Sequence, residues 1–227
     1  MNTKNKQIPQ ILLKEDFDVI LMDYVTGALD EMHELLVASY LALCPEACKL
    51  VDDCEKLGGL LIEHFCEPAL MDCESLNSVL QRLDDIDEHD PCKTLQEMSG
   101  NPFNLTLPKP VCRFLSGHEH DPRHWKTIWP GIRMLPLSAE GYACLIHMKP
   151  GARTPLHSHK GEELCLVLEG GLEDRYAHYR KGDVLYIQPR VRHAQKADRR
   201  EGCVCLSVSP APLYKKWVIT LSGLLFR

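Results

Sequence analysis

The sequence predicts an α+β chain of two domains, a small N-terminal helical bundle followed by a body of antiparallel strands. Apolar residues recur at three-four spacing from Glu15 to about Leu83 and at two-residue spacing after Pro110. Between these tracts, Asp84–Pro110 carries DDIDEHD and prolines at 91, 102, 108 and 110 without sustained periodicity, which reads as a linker. Charge changes sign near the same place: residues 1–90 hold 6 Lys/Arg against 20 Asp/Glu, net −14, and residues 91–227 hold 20 against 12, net +8. The implied bounds are 1–85 for the helical domain, 86–110 for the linker and 111–227 for the strands.

In chain order, Phe17, Ile20, Leu21 and Tyr24 share one helical face, and a break at Gly27 precedes Asp30, a good N-cap. Met32, Leu35, Leu36, Ser39, Tyr40 and Leu43 mark a second amphipathic helix that ends at Cys44-Pro45. Proline suits the first turn of a third helix, with Cys48, Val51, Cys54 and Leu57 along one side, until Gly58-Gly59 interrupts or ends it. A further helix is expected between Ser75 and Leu83. Strand-like segments follow the linker: TIWPGIRMLPLS, YACLIHMKPG, the segments around two histidine motifs, DVLYI, HAQKA, CVCLSVS and WVITLSGLLF.

The bulk properties are those of a globular chain, with 44% hydrophobic residues in 227. The N-terminus has no apolar run fit for a signal peptide, and WVITLSGLLF is about half the ~20 residues a membrane span needs, so a cytoplasmic protein without a membrane partner is expected. Eleven cysteines without an export signal point to reduced thiols, metal ligands or redox sensors rather than a disulfide framework. The acidic helical part argues against direct nucleic-acid contact and suits a basic protein surface.

The segment Gly151–Gly170 carries the chemistry. His157 and His159 share a face of an extended chain, and a turn at Lys160-Gly161 lets the following strand bring Glu163 back toward them. His193, downstream of Gly182-Asp183 and Pro189, is a fourth candidate. Three imidazoles with one carboxylate suit zinc, iron, manganese, nickel or copper and do not suit calcium or magnesium. The spacing of Gly151, His157, His159, Glu163 and Gly170, followed by Gly182-Asp183, Pro189 and His193, resembles the paired motifs of the cupin superfamily. That resemblance implies an antiparallel β-barrel of the jelly-roll type, one divalent transition metal inside it held by His157, His159, Glu163 and His193, and a fold that allows homodimers. By contrast, His118, His120 and His124 sit in SGHEHDPRHW, which reads as a loop of solvated histidines.

The segment DYVTGALDEMHELLVASYLALCPEACKLV, residues 23–51, resembles the N-terminal zinc-binding anti-sigma domain of the ChrR family. The order of parts matches as well: helical domain, Pro-rich linker, and a cupin opening near Trp125 to Arg133. The resemblance implies an anti-sigma factor that silences an extracytoplasmic-function sigma factor and releases it under oxidative, singlet-oxygen-type stress, with a zinc-bearing cupin as sensor. It implies a second zinc in the helical domain too, but the early histidine position is Glu15, the next is Tyr40, and the cysteines read Cys44-x-x-x-Cys48. A tetrahedral shell needs four ligands and only Cys44 and Cys48 remain. Tyr40 then belongs to an apolar core. Cys203 and Cys205, on one face of a late strand, read either as small core residues or as redox thiols near the metal. The competing function is a metal-dependent cupin dioxygenase or related small-molecule enzyme, which needs open metal positions but has no use for an acidic helical module.

Overall fold

The computed structural model describes residues 14–69, 72–83, 107–117, 125–138 and 142–209. Four helices come first: α1 (Lys14–Val25), α2 (Glu31–Leu43), α3 (Pro45–Phe65) and α4 (Cys73–Leu83). Asp30 caps α2 through its carboxylate, which accepts from the backbone N–H groups of Met32 and His33 at 3.0 Å each. Pro45 opens α3, where its missing N–H costs nothing. The expected stop at Gly58-Gly59 does not occur, and α3 runs on for two more turns. Two glycines weaken a helix by roughly 1 kcal/mol each, and the good helix formers on either side of them outlast that penalty.

A fifth helix, α5 (Lys109–Gly117), which the sequence reading did not include, straddles the linker boundary drawn at 110 ahead of the first strand. Its buried Val111 and Leu115 lie three-four apart on one face and pack with α2. Residues 84–106, most of the expected linker, lie outside the described residues, as do WVITLSGLLF and the histidines 118, 120 and 124.

The rest is antiparallel sheet: β1 (Lys126–Trp129), β2 (Ile132–Pro136), β3 (Ala143–Met148), β4 (Glu163–Glu173), β5 (His178–Arg180), β6 (Val184–Ile187), β7 (Lys196–Ala197) and β8 (Cys203–Val208). The order is β1-β2-β3-β8-β4-β5, with β6 and β7 also paired to β4. TIWPGIRMLPLS is not one strand but the β1–β2 hairpin, turned at Pro130-Gly131. The eleven-residue β4 is the shared strand: its first half pairs with β6 and its second half with β5 and β7, while β8 runs along its other edge. This two-storey use of one strand gives the jelly-roll fold of a cupin. Gly170 ends the first motif at φ +69°, and a Cβ there would stand 2.2 Å from the Gly202 carbonyl oxygen, so only glycine fits.

β4 and β8 are buried along both faces. Leu164, Leu166, Leu168, Val204, Leu206 and Val208 point outward into one cluster with Phe17, Leu21, Leu35, Leu36 and Val37 of the helices. Cys165, Val167, Cys203 and Cys205 point inward into a second cluster within the curled sheet. Helices and sheet therefore share a core, and α2 lies directly over β8 and β4. Leu36 and Leu206 are fully buried in it. Leu36→Ala is expected to cost about 2–5 kcal/mol, with helical circular dichroism and the fluorescence of the β1 tryptophan lost in one denaturant transition. Two separated transitions would contradict a shared core.

Candidate metal centre

His157 does not lie in a ladder strand, contrary to the simple expectation for the HSH segment. It sits in extended chain fastened by an isolated bridge, in which the His157 and His193 backbones exchange N–H···O bonds of 2.9 Å in each direction. Thr154 and Gln195 repeat the clasp one step outward, the Thr154 N–H donating to the Gln195 carbonyl and the Gln195 N–H to Thr154 Oγ1, both at 2.9 Å. The two histidine motifs are thus sewn together by backbone bonds before any metal binds. Glu163 enters as the first residue of β4, inward-facing beside His159.

The four predicted ligands converge. One ligand atom from each of His157, His159, Glu163 and His193 lies within 4.8 Å of every other. Glu163 Oε2 is 2.7 Å from His159 Nε2 and 3.9 Å from His193 Nε2. His159, Glu163 and His193 are each 4% exposed, whereas His157 is partly open to solvent and forms the accessible side of the site. The Nδ1 atoms of His157 and His193 face the carbonyl oxygens of Pro155 and Val191 at 2.9 and 3.2 Å, which holds the rings by their far nitrogens and turns Nε2 toward the centre.

Several of these buried atoms have no hydrogen-bond partner. His159 Nε2, His193 Nε2 and Glu163 Oε2 are all unsatisfied, and the close His159–Glu163 approach lacks the alignment of a hydrogen bond. Buried polar atoms left in this state cost about 1–3 kcal/mol apiece, so three of them aimed at one point describe the donor set of a cation. Nitrogen and carboxylate donors in a group of four fit zinc and its neighbours. Ionisation agrees with that fit. Burial, reinforced by the neighbouring His157, pushes His193 down to about 4, and burial lowers His157, so both imidazoles are neutral at neutral pH. Burial alone would raise Glu163, but the nearby imidazoles of His159 and His193 and the Ser207 hydroxyl outweigh it and bring the carboxyl down to about 2.

Ser207 was not singled out from the sequence. Its hydroxyl donates to Glu163 Oε1 at 2.5 Å, fixing the carboxylate with Oε2 turned to the centre. The signal was present, because the parity that aligns Cys203 with Cys205 carries on to residue 207. Arg190 is a second surprise: it holds φ +65°, a left-handed conformation that suits glycine, and its N–H donates to the His159 carbonyl at 2.7 Å. Beside the metal ligands, a cavity of about 20 Å³ is lined by Met134, Met148, Thr154, His157, Glu163 and Cys205. That is about the space of one water-sized ligand.

Cys44 and Cys48 are not gathered into a cluster, and among the described residues the cupin quartet alone forms a group of metal-binding geometry. Cys44 Sγ donates to the Gly182 carbonyl at 3.5 Å, bringing the α2–α3 junction against the β5–β6 turn. Cys48 is exposed, with Sγ 3.6 Å from the Leu41 carbonyl. Tyr40 packs edge-on to Phe17 with ring centroids 4.6 Å apart, within the shared apolar core. Cys203 and Cys205 are both buried on the inner face of β8, and Cys205 reaches the cavity wall.

Three measurements follow from this geometry. Ser207→Ala is expected to weaken metal affinity about 10–100-fold in chelator competition, while Cys44→Ser and Cys48→Ser leave the metal content unchanged. Arg190→Gly relieves a left-handed residue and is expected to raise stability by about 1 kcal/mol with the metal retained. For the metal-free chain, His193 binds its proton less readily folded than unfolded, so stability should fall as pH drops from about 6.5 toward 4. Glu163, with its folded value depressed, adds a further loss below about 4.5. A flat melting-temperature profile over that range would contradict the neutral-imidazole site.

Comparison with known proteins agrees with this geometry. A family profile described as the ChrR cupin-like domain matches residues 117–211. The anti-sigma-E factor ChrR of Cereibacter sphaeroides is 32% identical over 199 residues, spanning 86% of this chain and 89% of its own. The crystal structure of Rhodobacter sphaeroides SigE in complex with the anti-sigma ChrR superposes with a TM-score of 0.63 at 29% identity, over 85% of this chain and 96% of the matched one. At that identity over most of both lengths, the chain belongs to the ChrR family of anti-sigma factors.

Proposed function

We propose that this protein binds and silences a sigma factor of the extracytoplasmic-function type through its helical domain and releases it under oxidative stress, with the cupin as sensor. The observation that carries the proposal is an apolar surface that the fold leaves uncovered. Leu57, Leu60, Ile62 and Phe65 of α3 are 58–75% exposed, and Leu76 and Val79 of α4 are 63% and 53% exposed. The side of α3 expected to be buried contributes only Val51 to the core. Large apolar side chains left this exposed on α3 and α4 are more than a free surface needs to leave uncovered. They lie in the part of the chain with net charge −14, so the surface suits a partner that is apolar where it docks and basic around the contact, as a DNA-contacting protein is.

The metal proposed for the cupin is zinc, bound by His157, His159, Glu163 and His193, and the protein is proposed to act in the cytoplasm without catalysing a reaction. The small cavity beside the ligands supports a sensor over an enzyme, since about 20 Å³ takes a water-sized ligand and no diketone or flavonol. No helix among the described residues is long and apolar enough to cross a membrane. The separation into residues 1–85, 86–110 and 111–227 is retained as a functional division, although helices and sheet pack against each other.

Co-expression with a sigma factor encoded beside it, followed by co-purification, tests the reading. The expected complex forms with the wild-type chain, weakens as salt rises, and is lost in Leu60→Asp and Val79→Asp variants that keep their metal. A chain that retains no sigma factor even at low salt overturns it.

A further inference from the structure

The second histidine motif carries a buried polar group that neither the ligand quartet nor the backbone clasp uses. Along residues 193–197 alternate side chains turn inward: His193, Gln195 and Ala197 are 4%, 8% and 0% exposed, and Ala194 and Lys196 between them are more open. Gln195 therefore shares the face of the ligand His193. Its backbone is held by Thr154, whose hydroxyl accepts from the Gln195 N–H at 2.9 Å and donates to the Gln195 carbonyl at 3.4 Å. The side-chain amide is left over, because Nε2 is buried and has no hydrogen-bond partner. A buried donor in that state is rare in folded chains, and its cost is recovered when an acceptor occupies the space before it.

That space is the cavity of about 20 Å³ beside the quartet, whose wall includes Gln195, Thr154, His157 and Glu163. Much of the rest is apolar, with Ile128, Met134, Ile146 and Met148. The Thr154 hydroxyl is committed to the clasp, and Glu163 Oε1 accepts from Ser207. The Gln195 amide remains to meet a guest.

We propose that Gln195 and this cavity form a subsite for a one- or two-atom anionic Lewis base, of the size of hydroxide or hydroperoxide, which sits beside the quartet's cation and accepts a hydrogen bond from Gln195 Nε2. Size sets the upper limit, since about 20 Å³ holds one water-sized guest. Charge sets the preference: the amide N–H and the cation both present positive charge, and apolar walls keep out the water that would screen them. A neutral organic substrate meets neither condition. Entry is from the side of His157, which is partly open to solvent. Gln195 holds the guest, while the metal is held by the quartet. The inference rests on a metal at the quartet and is independent of the sigma-factor partner.

The test uses the full-length chain loaded with cobalt(II), whose visible absorption follows the ion's coordination, and fluoride as a one-atom probe. Fluoride is expected to shift the bands of the wild-type chain to saturation, and benzoate, too large for the cavity, to leave them unchanged. Gln195→Leu and Gln195→Met keep the bulk and remove the donor, and each is expected to retain cobalt and bind fluoride about 10–100-fold more weakly. A Gln195 that serves only in packing would leave fluoride affinity at the wild-type value in cobalt-loaded variants, and that result overturns the proposal. A wild-type spectrum that ignores fluoride, or that answers benzoate equally, overturns it too. A chain that takes up no cobalt overturns the metal centre and the subsite together, whereas a fluoride-responsive chain that retains no sigma factor sinks the regulatory reading alone.

Discussion

Burial of β4 and β8 on both faces is the constraint from which the rest follows. An antiparallel sheet ordinarily has one face against a core and one against water. Here Glu163, Cys165, Cys205 and Ser207 line the inside while Leu164, Leu166, Leu206 and Val208 carry the helices outside, alternating along the same two strands. A shift of one residue in either strand would exchange ligand and thiol positions with the helix-packing leucines. The metal centre and the helical docking surface are therefore specified by a single register, and a change in how β4 meets β8 reaches both.

Much of this was legible in the sequence and some was not, for identifiable reasons. The four candidate metal ligands are legible because each stands at a fixed offset from a turn-forming glycine, and Asp30 and Pro45 announce their helices by capping chemistry. The second face of β8 was hidden because CVCLSVS is apolar or small at every position, so its composition shows a buried strand without showing what lies on each side. α5 was concealed by Pro108 and Pro110, which read as linker; Pro110 falls in its first turn, where proline is tolerated. The continuation of α3 beyond Gly58-Gly59 and the left-handed Arg190 are cases in which local propensity is overruled by context.

The apolar packing of the helical domain becomes intelligible beside the shared core. A small helical domain needs further support when its own core is thin. Here Tyr40, Phe17, Leu36 and Val37 pack with one another and over the sheet, each fully buried leucine or valine being worth about 1.5–3 kcal/mol. The thiol of Cys44 lies against Gly182, where a Cβ would meet its sulfur at 2.9 Å. Glycine in this turn accordingly serves two ends, its own φ of +90° and the close seat of the α2–α3 junction on the cupin.

A shared interface sets what a signal has to do. A helical domain with a self-contained core keeps its shape whatever its neighbour undergoes. One held together by the outer face of β4 and β8 has a stability that includes the cupin's, so strain or loss of a ligand on the inner face enters the free energy of the helices directly. The exposed leucines of α3 and α4 are separate from the buried residues of α2 that meet the sheet. A partner bound there need not be touched by the oxidant, nor by the metal. It is enough that the two strands have one arrangement in which α2 is fully supported and another, reached by chemistry on the inside, in which it is not.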